Sequence, residues 1–289
     1  MGILFSTKED RLGTITSNSY PIIIMYFFDE KSSQIYLEDS SNQLVKAGNP
    51  NYFLTICRHE VGVNTFLYIV TPKKVIEVNC VEKTQSELMV NSKDNFFKAF
   101  KGMTSIVFQD RLCLIGGFNK KTGRNERCFQ MCPIKKPKWT QGEYFNVGRS
   151  NSAVCSIHDS LYICGGWGLS LLSSIEKYKN SNWVCLSFRI TPYSSCAMVP
   201  ISNTRVLILG QDENLDYCVE EVNFCRKSVK KCDNLAISST KNYNFLCHNR
   251  TFASFDSQKA VHKVEMVERN WSDLEAFFLT REKLNLKLI

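Results

Sequence analysis

Three of the four tryptophans in this sequence fall at multiples of one spacing, and no other feature limits the possible folds as strongly. Trp183 follows Trp139 by 44 residues, and Trp271 follows Trp183 by 88, which is twice that spacing. Between Trp139 and Trp183 lie apolar runs at 153–157 and 161–164, rich in the β-branched, aromatic and Cys residues typical of strands. The spacing therefore predicts a repeated all-β unit.

Paired glycines keep nearly the same period. The apolar run that ends in Gly165-Gly166 follows the run that ends in Gly116-Gly117 by 49 residues, and Gly210 follows Gly165 by 45. A unit of about 40–45 residues with four strands is typical of a β-propeller blade. Glycine lets the strands of adjacent blades approach closely where the wedge is narrow, while Tyr178 and the tryptophans can fill the wider gaps.

The order of these residues resembles the kelch repeat. In that family the second strand of a blade ends in two glycines, the third carries a Tyr, the fourth carries a Trp, and an Arg precedes the next first strand. Toward the N-terminus the period continues without the motif, since Thr71 lies 45 residues before Gly116. The resemblance implies nine structural repeat residues: Gly116, Gly117, Trp139, Gly165, Gly166, Tyr178, Trp183, Gly210 and Trp271.

We therefore predict one all-β domain, a six-bladed kelch-type β-propeller with four antiparallel strands in each blade. Six units of about 44 residues would use about 264 of the 289 residues. A seven-bladed ring that includes the tails is the lesser alternative. The first strand of blade one is expected from residues 12–18 or from the C-terminus, and the tail 275–289 is expected to close the ring or to end as a short helix. The predicted blades span approximately residues 12–47, 52–95, 103–142, 150–186, 194–230 and 244–274.

The resemblance also implies a partner-binding face. Kelch propellers that bind peptides use the Arg-Ser or Arg-Asn step before the innermost strand and the loop after the paired glycines. An Arg supplies bidentate charged donors, and an aromatic ring supplies area that loses its water on binding. The alternative is that Arg149 only bonds loop carbonyls and the aromatic rings only cover the face. The implied partner-binding residues are Arg149, Ser150, Asn151, Phe118, Trp167, Tyr193 and Ser194.

Charge and cysteine usage limit the partners and the compartment. The formal net charge of +8 is not concentrated in a block of basic residues, so we expect solvated charge at blade edges, with an acidic protein partner as the alternative. Nothing beyond charge favours nucleic acid, and no run of 18 apolar residues predicts a transmembrane segment. The 13 Cys lie mostly in apolar runs, as Cys155 and Cys185 do, and are expected to be buried, reduced thiols of a cytoplasmic protein.

Little in the sequence points to catalysis. The four histidines, His59, His158, His248 and His262, have no spacing that would bring them to one metal ion. The copper oxidases built on kelch-like propellers need two His and two Tyr at one ion. No nucleophile elbow of the form Gly-x-Ser-x-Gly and no phosphate-binding glycine loop is present. We therefore expect no catalytic residue, no cofactor and no metal.

The predicted function is a non-enzymatic protein-interaction scaffold, a structural subunit of a larger cytoskeletal or ciliary assembly. One alternative is a substrate-recognition propeller that acts with a separate ubiquitin-ligase subunit, because the helical BTB region of such adaptors has no room here. The other alternative is a propeller enzyme. Residues 1–6 also fit the N-myristoylation pattern, with Gly2 as acceptor and a weak expectation of lipid anchoring, since no second membrane signal lies nearby.

Overall fold

The computed structural model describes residues 3–5, 25–29, 34–38, 44–46, 55–62, 64–79, 82, 84–88, 97–214, 216–232, 244–248, 251–255 and 261–265. Every regular element in these ranges is a β-strand, which confirms the predicted all-β class. The same ranges contain no helix of the length and hydrophobicity that a membrane span requires. Gly2, Trp271 and the tail 275–289, for which the sequence made predictions, lie outside them.

The N-terminal third forms antiparallel meanders. The strands are β1 (Ile3–Phe5), β2 (Met25–Asp29), β3 (Gln34–Glu38), β4 (Leu44–Lys46), β5 (Thr55–Val61), β6 (Asn64–Val70), β7 (Val75–Asn79) and β8 (Thr84–Leu88). Strands β2, β3 and β4 pair in sequence order within predicted blade one, and β5 to β8 do so within predicted blade two. Short hairpin connections explain this order, because each strand pairs with the next one along the chain.

Predicted blade three contains one sheet and an additional hairpin. Its strands are β9 (Thr104–Phe108), β10 (Arg111–Ile115), β11 (Phe118–Asn119), β12 (Arg124–Asn125), β13 (Phe129–Pro133) and β14 (Thr140–Gln141). The sheet has the order β14-β13-β10-β9, and β11 pairs only with β12 in the described part of the chain. The hairpin was not predicted, because strands of two residues carry no periodic pattern.

Predicted blades four and five are regular four-stranded meanders. Blade four consists of β15 (Ala153–Ile157), β16 (Ser160–Cys164), β17 (Leu172–Lys179) and β18 (Asn182–Tyr193), and blade five of β19 (Ser195–Ser202), β20 (Arg205–Gln211), β21 (Tyr217–Asn223) and β22 (Ser228–Lys231). Strand β18 continues beyond residue 186, where the sequence placed the end of its blade. Its pairing with β17 shifts register on both sides of Ser174, which indicates β-bulges.

The first strands of the blades lie side by side. The last described strands are β23 (Asn244–His248), β24 (Thr251–Phe255) and β25 (Val261–Glu265). Contacts connect the first strands in the order β5, β9, β15, β19 and β23. Strand β1 pairs in parallel with both β23 and β5, where the predicted ring needs the first strand of blade one. That position was expected to come from residues 12–18 or the C-terminus, and the count of six blades stays a prediction.

Aromatic rings fill the gap between blades three and four. The ring of Phe129, on β13, lies 4.8 Å from that of Tyr178 and 5.3 Å from that of Trp183, both with edge-to-face geometry. Trp139 packs against Phe97 with the two rings tilted, at 5.1 Å between ring centroids. Such buried pairs contribute about 0.5–1.5 kcal/mol each beyond their area. Repeat residues from the fourth and third strands thus fasten one blade to the next.

The glycine pairs are needed where two backbones meet. A Cβ atom at Gly116 would lie 2.3 Å from the carbonyl oxygen of Arg149, and one at Gly166 would lie 2.3 Å from that of Ser150. Their φ angles are +66° and +86°, in the left-handed region that only glycine adopts freely. Each pair therefore lets the segment that leads into a first strand pass directly over the end of a second strand.

Most thiols are inside the sheets. Of the eleven cysteines whose side chains the structure describes, nine are buried and none forms a disulfide. Burial raises the pKa of Cys57 to about 12 and also raises that of Cys155, so both are neutral thiols. Cys185 differs from the prediction: it is exposed, on β18, the outermost strand of blade four, where Val184 directly before it is exposed as well.

Candidate functional site

The loops that could meet a partner lie at one end of blades three, four and five. In an antiparallel meander the connections from second to third strand and the segments before the first strand fall at the same end. We call this surface the loop face. It consists of residues 98–102, 116–128, 141–152, 165–172, 193–195 and 211–217.

Backbone hydrogen bonds hold the two loops of each blade together. The N–H of Ser150 donates to the carbonyl of Trp167 at 2.9 Å, and the N–H of Trp167 donates back to that of Ser150 at 2.8 Å. In blade three the N–H of Phe118 donates to the carbonyl of Lys101 at 2.7 Å, and in blade five Ser194 donates to Gln211 at 2.8 Å. The structure thus brings the predicted residues Ser150 and Trp167 into direct contact.

Further backbone bonds join successive blades. The N–H of Gly117 donates to the carbonyl of Arg149 at 2.8 Å, and the N–H of Gly166 donates to that of Tyr193 at 2.9 Å. Tyr193 therefore occupies in blade five the place that Arg149 has in blade four. Asn151, with a φ of +53°, donates from its N–H to the carbonyl of Gly102 at 2.7 Å. The loop face is one network of loops bonded through their backbones.

The side chain of Arg149 points into this network and has none of its surface exposed. Its guanidinium donates to the carbonyls of Gly165 and Ser174 at 3.2 Å each, and to the Ser174 hydroxyl at 3.0 Å. It also forms an ion pair of 2.6 Å with Oε1 of Glu176, which is equally buried. This placement corresponds to the alternative interpretation, in which Arg149 bonds loop carbonyls.

Glu176 holds the lead-in segment of blade four, the residues directly before its first strand. Besides the ion pair, its carboxylate accepts hydrogen bonds from the N–H of Asn146 at 2.6 Å and from the N–H of Val147 at 3.1 Å. The side-chain amide of Asn146 donates to the same carboxylate at 2.8 Å. A single buried carboxylate on the third strand thus fixes three amide groups and a guanidinium of the loop face.

Equivalent residues do the same in the adjacent blades. Glu220, on β21, accepts from the N–H of Thr191 at 3.0 Å and also from its hydroxyl. Gln130, on β13, accepts from the N–H of Lys98 and donates to the carbonyl of Lys98, each at 2.7 Å. We call Gln130, Glu176 and Glu220 the anchor residues. All three are buried.

The anchor residues were missed by the sequence reasoning, although a signal was present. Glu176 follows Gln130 by 46 residues and precedes Glu220 by 44, so a polar residue recurs in an apolar third strand with the period of the repeat. Each pairs with a residue two positions before a repeat glycine. In blade two the corresponding position holds Ile76, which pairs with Ile69.

Tyr193 and Ser194 lie in the lead-in segment of blade five. Tyr193 is fully buried, and burial raises the pKa of its hydroxyl, with the negative charge of Glu220 as the second cause. Its ring covers Gly210, where a Cβ atom would lie 2.3 Å from the ring carbon Cγ. Ser194 is partly exposed. Tyr193 therefore acts as a packing residue, and Ser194 stays available at the surface.

Large apolar side chains protrude from the loop that follows Gly165-Gly166. Trp167 is 44% exposed, and Leu169 is exposed along its whole side chain. The loop is held from below, because the side-chain amide of Asn125 donates to the carbonyl of Gly168 at 2.8 Å. Phe118, at the corresponding place in blade three, is half-buried in the hairpin of β11 and β12.

Groups that could hold a metal ion do not converge in the described ranges: no three His, Cys, Asp or Glu side chains come together there. Three buried polar side chains that support the loop face are instead bonded to backbone. Arg149, Glu176 and Gln130 each bond to main-chain atoms of a lead-in segment or a glycine loop. What the arrangement can do chemically is hold a set of exposed side chains in fixed positions.

Comparison with known proteins places blade four in a family. Residues 148–186 match the model of the kelch motif, from the segment that carries Arg149 to the start of β18. A search of curated proteins finds no match to this chain. The matched residues contain the paired glycines, Tyr178 and Trp183 of the predicted repeat. The resemblance is therefore confirmed, and this chain carries a kelch motif in an all-β, antiparallel fold.

Proposed function

We propose that this chain is a non-enzymatic protein-interaction scaffold whose loop face docks a protein partner. The observation that carries the proposal is the exposure of Trp167 and Leu169 on a loop fixed by backbone hydrogen bonds. Exposed large apolar side chains on a soluble surface mark interaction sites. Tryptophan in particular is enriched among residues that dominate binding energy.

Rigidity of the loop face supports the same proposal. Binding is weakened by the entropy lost when interface side chains and loops become ordered, so a surface ordered beforehand binds more tightly. Arg149 and Glu176 fix the lead-in segment of blade four, and that segment bonds to the backbone of Trp167 through Ser150. Arg149 acts in this scheme as a positioning residue, and the partner meets Trp167, Leu169 and Asn151.

The non-enzymatic part of the proposal rests on how the ionisable groups are used. Arg149 and Glu176 are the most fully engaged charged residues of the loop face, and both are sealed from solvent. A catalytic acid, base or charged donor has to reach a bound substrate. Here those groups form their hydrogen bonds within the protein itself, and this supports a binding face.

A second candidate is a structural subunit of a cytoskeletal or ciliary assembly that contacts neighbours through the blade sides. One observation favours it: the long outer strand β18 presents Val184, which is 59% exposed, together with the exposed Cys185. Strand β18 pairs only with β17 in the described part of the chain, so its outer edge can accept another strand.

Affinity purification of the native protein from its own cells, in low and high salt, tests both candidates. The variant Trp167→Ala with Leu169→Ala is compared with Val184→Ala, an exposed apolar residue of the blade side. If the loop-face variant releases a stoichiometric partner and Val184→Ala retains it, the proposal stands. Release by Val184→Ala alone, from a salt-resistant assembly, supports the structural subunit. A partner that both variants retain contradicts both candidates.

A further inference from the structure

A groove of about 640 Å³ opens on the loop face where blade three meets blade two. One side is the lead-in segment of blade three, from Lys98 to Lys101, and the other is the start of the β11–β12 hairpin, from Phe118 to Lys121. Pro72, in the turn between β6 and β7, and Tyr144 complete the rim. Blades two and three thus share a concave site on the loop face.

Positive charge dominates this groove. Lys98, Lys101, Lys120 and Lys121 line it, and all four are exposed. The one carboxylate in the lining belongs to Glu126, and it already accepts a hydrogen bond from the side-chain amide of Asn119 at 2.7 Å. No carboxylate of the described ranges forms an ion pair with any of the four ammonium groups. Four cations therefore face one site without an ion-pair partner among the residues that the structure describes.

Aromatic rings supply the apolar part of the walls. Phe100 and Phe118 are half-buried in the lining, and Tyr144 is 57% exposed. The backbone behind them is fixed: Phe118 bonds to Lys101, and a Cβ atom at Gly117 would lie only 2.6 Å from the Cβ atom of Phe100. The rings thus offer preformed apolar area between the lysines, which favours a ligand that is both acidic and partly apolar.

We propose that this groove binds an extended acidic segment of a protein partner, with carboxylates against the lysines and an apolar side chain between Phe118 and Tyr144. The inference rests on the proposed docking function and names the partner class of the same face. The lysines cluster in one groove and do not follow a stripe across the blades. Such a stripe is the pattern that the repeated phosphates of a nucleic acid would need. A short acidic peptide carries its charges over a shorter distance than a nucleic acid does, and this fits such a cluster.

The test measures fluorescence anisotropy of a labelled decapeptide of alternating Glu and Phe with the full chain at low salt. A decapeptide of alternating Lys and Phe reports the sign of charge that the groove selects. The variant Lys101→Glu, Lys120→Glu, Lys121→Glu is compared with Lys135→Glu, Lys136→Glu, Lys138→Glu, which changes the net charge equally at the opposite end of blade three. All six lysines are exposed, so neither variant disturbs the core.

The expected result is roughly tenfold weaker binding of the acidic peptide in the groove variant and less than about twofold in the matched control. Tyr144→Ala should weaken it roughly threefold. Equal losses in the two triple variants would overturn the inference, as would equal binding of the basic peptide. Tighter binding of a ten-residue thymidine oligonucleotide, reduced by the same groove variant, would assign the site to nucleic acid instead.

Failure of this inference and failure of the proposed function give different results. If the groove is not an acidic-peptide site, both peptides bind alike while the Trp167→Ala, Leu169→Ala variant still releases a cellular partner. If the loop face is not a docking surface, that variant keeps its partners whatever the peptides do.

Discussion

Blade four joins its lead-in segment to the third strand through a buried arginine–glutamate pair, and blade five uses a buried glutamate without the arginine. Glu176 accepts from two backbone amides and from the guanidinium of Arg149. Glu220 accepts from the amide and hydroxyl of Thr191, and Tyr193 takes the place of the arginine. The common element is the acceptor on the third strand that fixes the lead-in segment.

The two blades differ in whether the kelch motif matches them, although both hold their lead-in segment through an anchor residue. The kelch motif matches through residue 186 and therefore covers the blade that has both the arginine and the paired glycines. Blade five lies outside the match, although its anchor residue makes the same kind of bond. What defines the loop face physically is a buried acceptor with the period of the repeat, and the arginine is an addition that balances its charge in one blade.

Removing the arginine should have the largest effect. Arg149→Ala leaves the Glu176 carboxylate buried without its cation, so we expect the free energy of unfolding to fall by about 4 kcal/mol. Urea denaturation followed by tryptophan fluorescence measures it. The matched control is Arg205→Ala in blade five, because Arg205 is 37% exposed and its 3.1 Å pair with Glu221 should contribute below about 1 kcal/mol. Equal losses in the two variants would contradict the distinction.

A substitution at the second position of the glycine pair should destabilise blade four nearly as much as Arg149→Ala does. The same position in blade five should tolerate substitution. Gly166→Ala places a methyl group against the Ser150 carbonyl at a φ of +86°, and we expect a loss of about 3 kcal/mol in urea denaturation. Blade five has Gln211 at this position, so Gln211→Gly should cost below about 1 kcal/mol. Gly123→Ala, at a φ of +67° with no atom within 4 Å, measures the cost in stability of the positive φ alone. A Gly166→Ala loss no larger than that of Gly123→Ala would refute the close contact.

Neutralising the anchor residues should affect the two blades differently. Glu176→Gln keeps the shape but leaves Arg149 without a counter-charge, so the expected loss of stability is about 2 kcal/mol. Glu220→Gln should lose below about 1 kcal/mol, because Gln130 makes both an accepted and a donated bond to Lys98 at the same position in blade three. Thermal unfolding of the pair of variants measures the difference. A larger loss in the Glu220→Gln variant would mean that blade five depends on charge after all.

The pH dependence of stability should distinguish a buried thiol of blade four from an exposed one of blade five. Burial raises the pKa of Cys155 in the folded protein, whereas its unfolded value is near 9. Its contribution is therefore complete below pH 9 and is lost as the pH rises above it, by about 1.4 kcal/mol per pH unit. Cys155→Ala should flatten the alkaline slope of urea-measured stability by that amount. Cys225→Ala removes an exposed thiol of blade five and is the control variant for the same measurement. Equal slopes in both variants would contradict the assignment.

Period and composition predicted the all-β class and the kelch motif because both depend on strand patterns and on glycines that recur at fixed intervals. Gly116 and Gly166 could be identified from sequence, since no other residue fits a positive φ against a crossing backbone. The role of Arg149 could not, because an arginine before a strand can point either to solvent or into the blade. Only the position of Glu176 on the third strand determines whether the side chain of Arg149 points to solvent or into the blade.

The remaining differences have a similar origin. The anchor residues Glu176 and Glu220 lie under the lead-in segments that bond to them, and the polarity of a single strand residue does not indicate such burial. Pairing of β1 with β23 joins segments about 240 residues apart in the sequence, and no local pattern encodes such a contact. Sequence reasoning therefore named residues of the loop face, whose role in binding stays a prediction, and missed the anchor residues.

Residue-resolved hydrogen–deuterium exchange tests the central claim, that buried acceptors on the third strands hold the loop face ready for a partner. The account predicts that the amides of Asn146, Val147 and Thr191 exchange at least about a hundredfold more slowly than unstructured amides. In the Glu176→Ala variant the first two should lose this protection while Thr191, held by Glu220, keeps it. Fast exchange of these amides in the native protein, or protection that survives Glu176→Ala, would contradict the account.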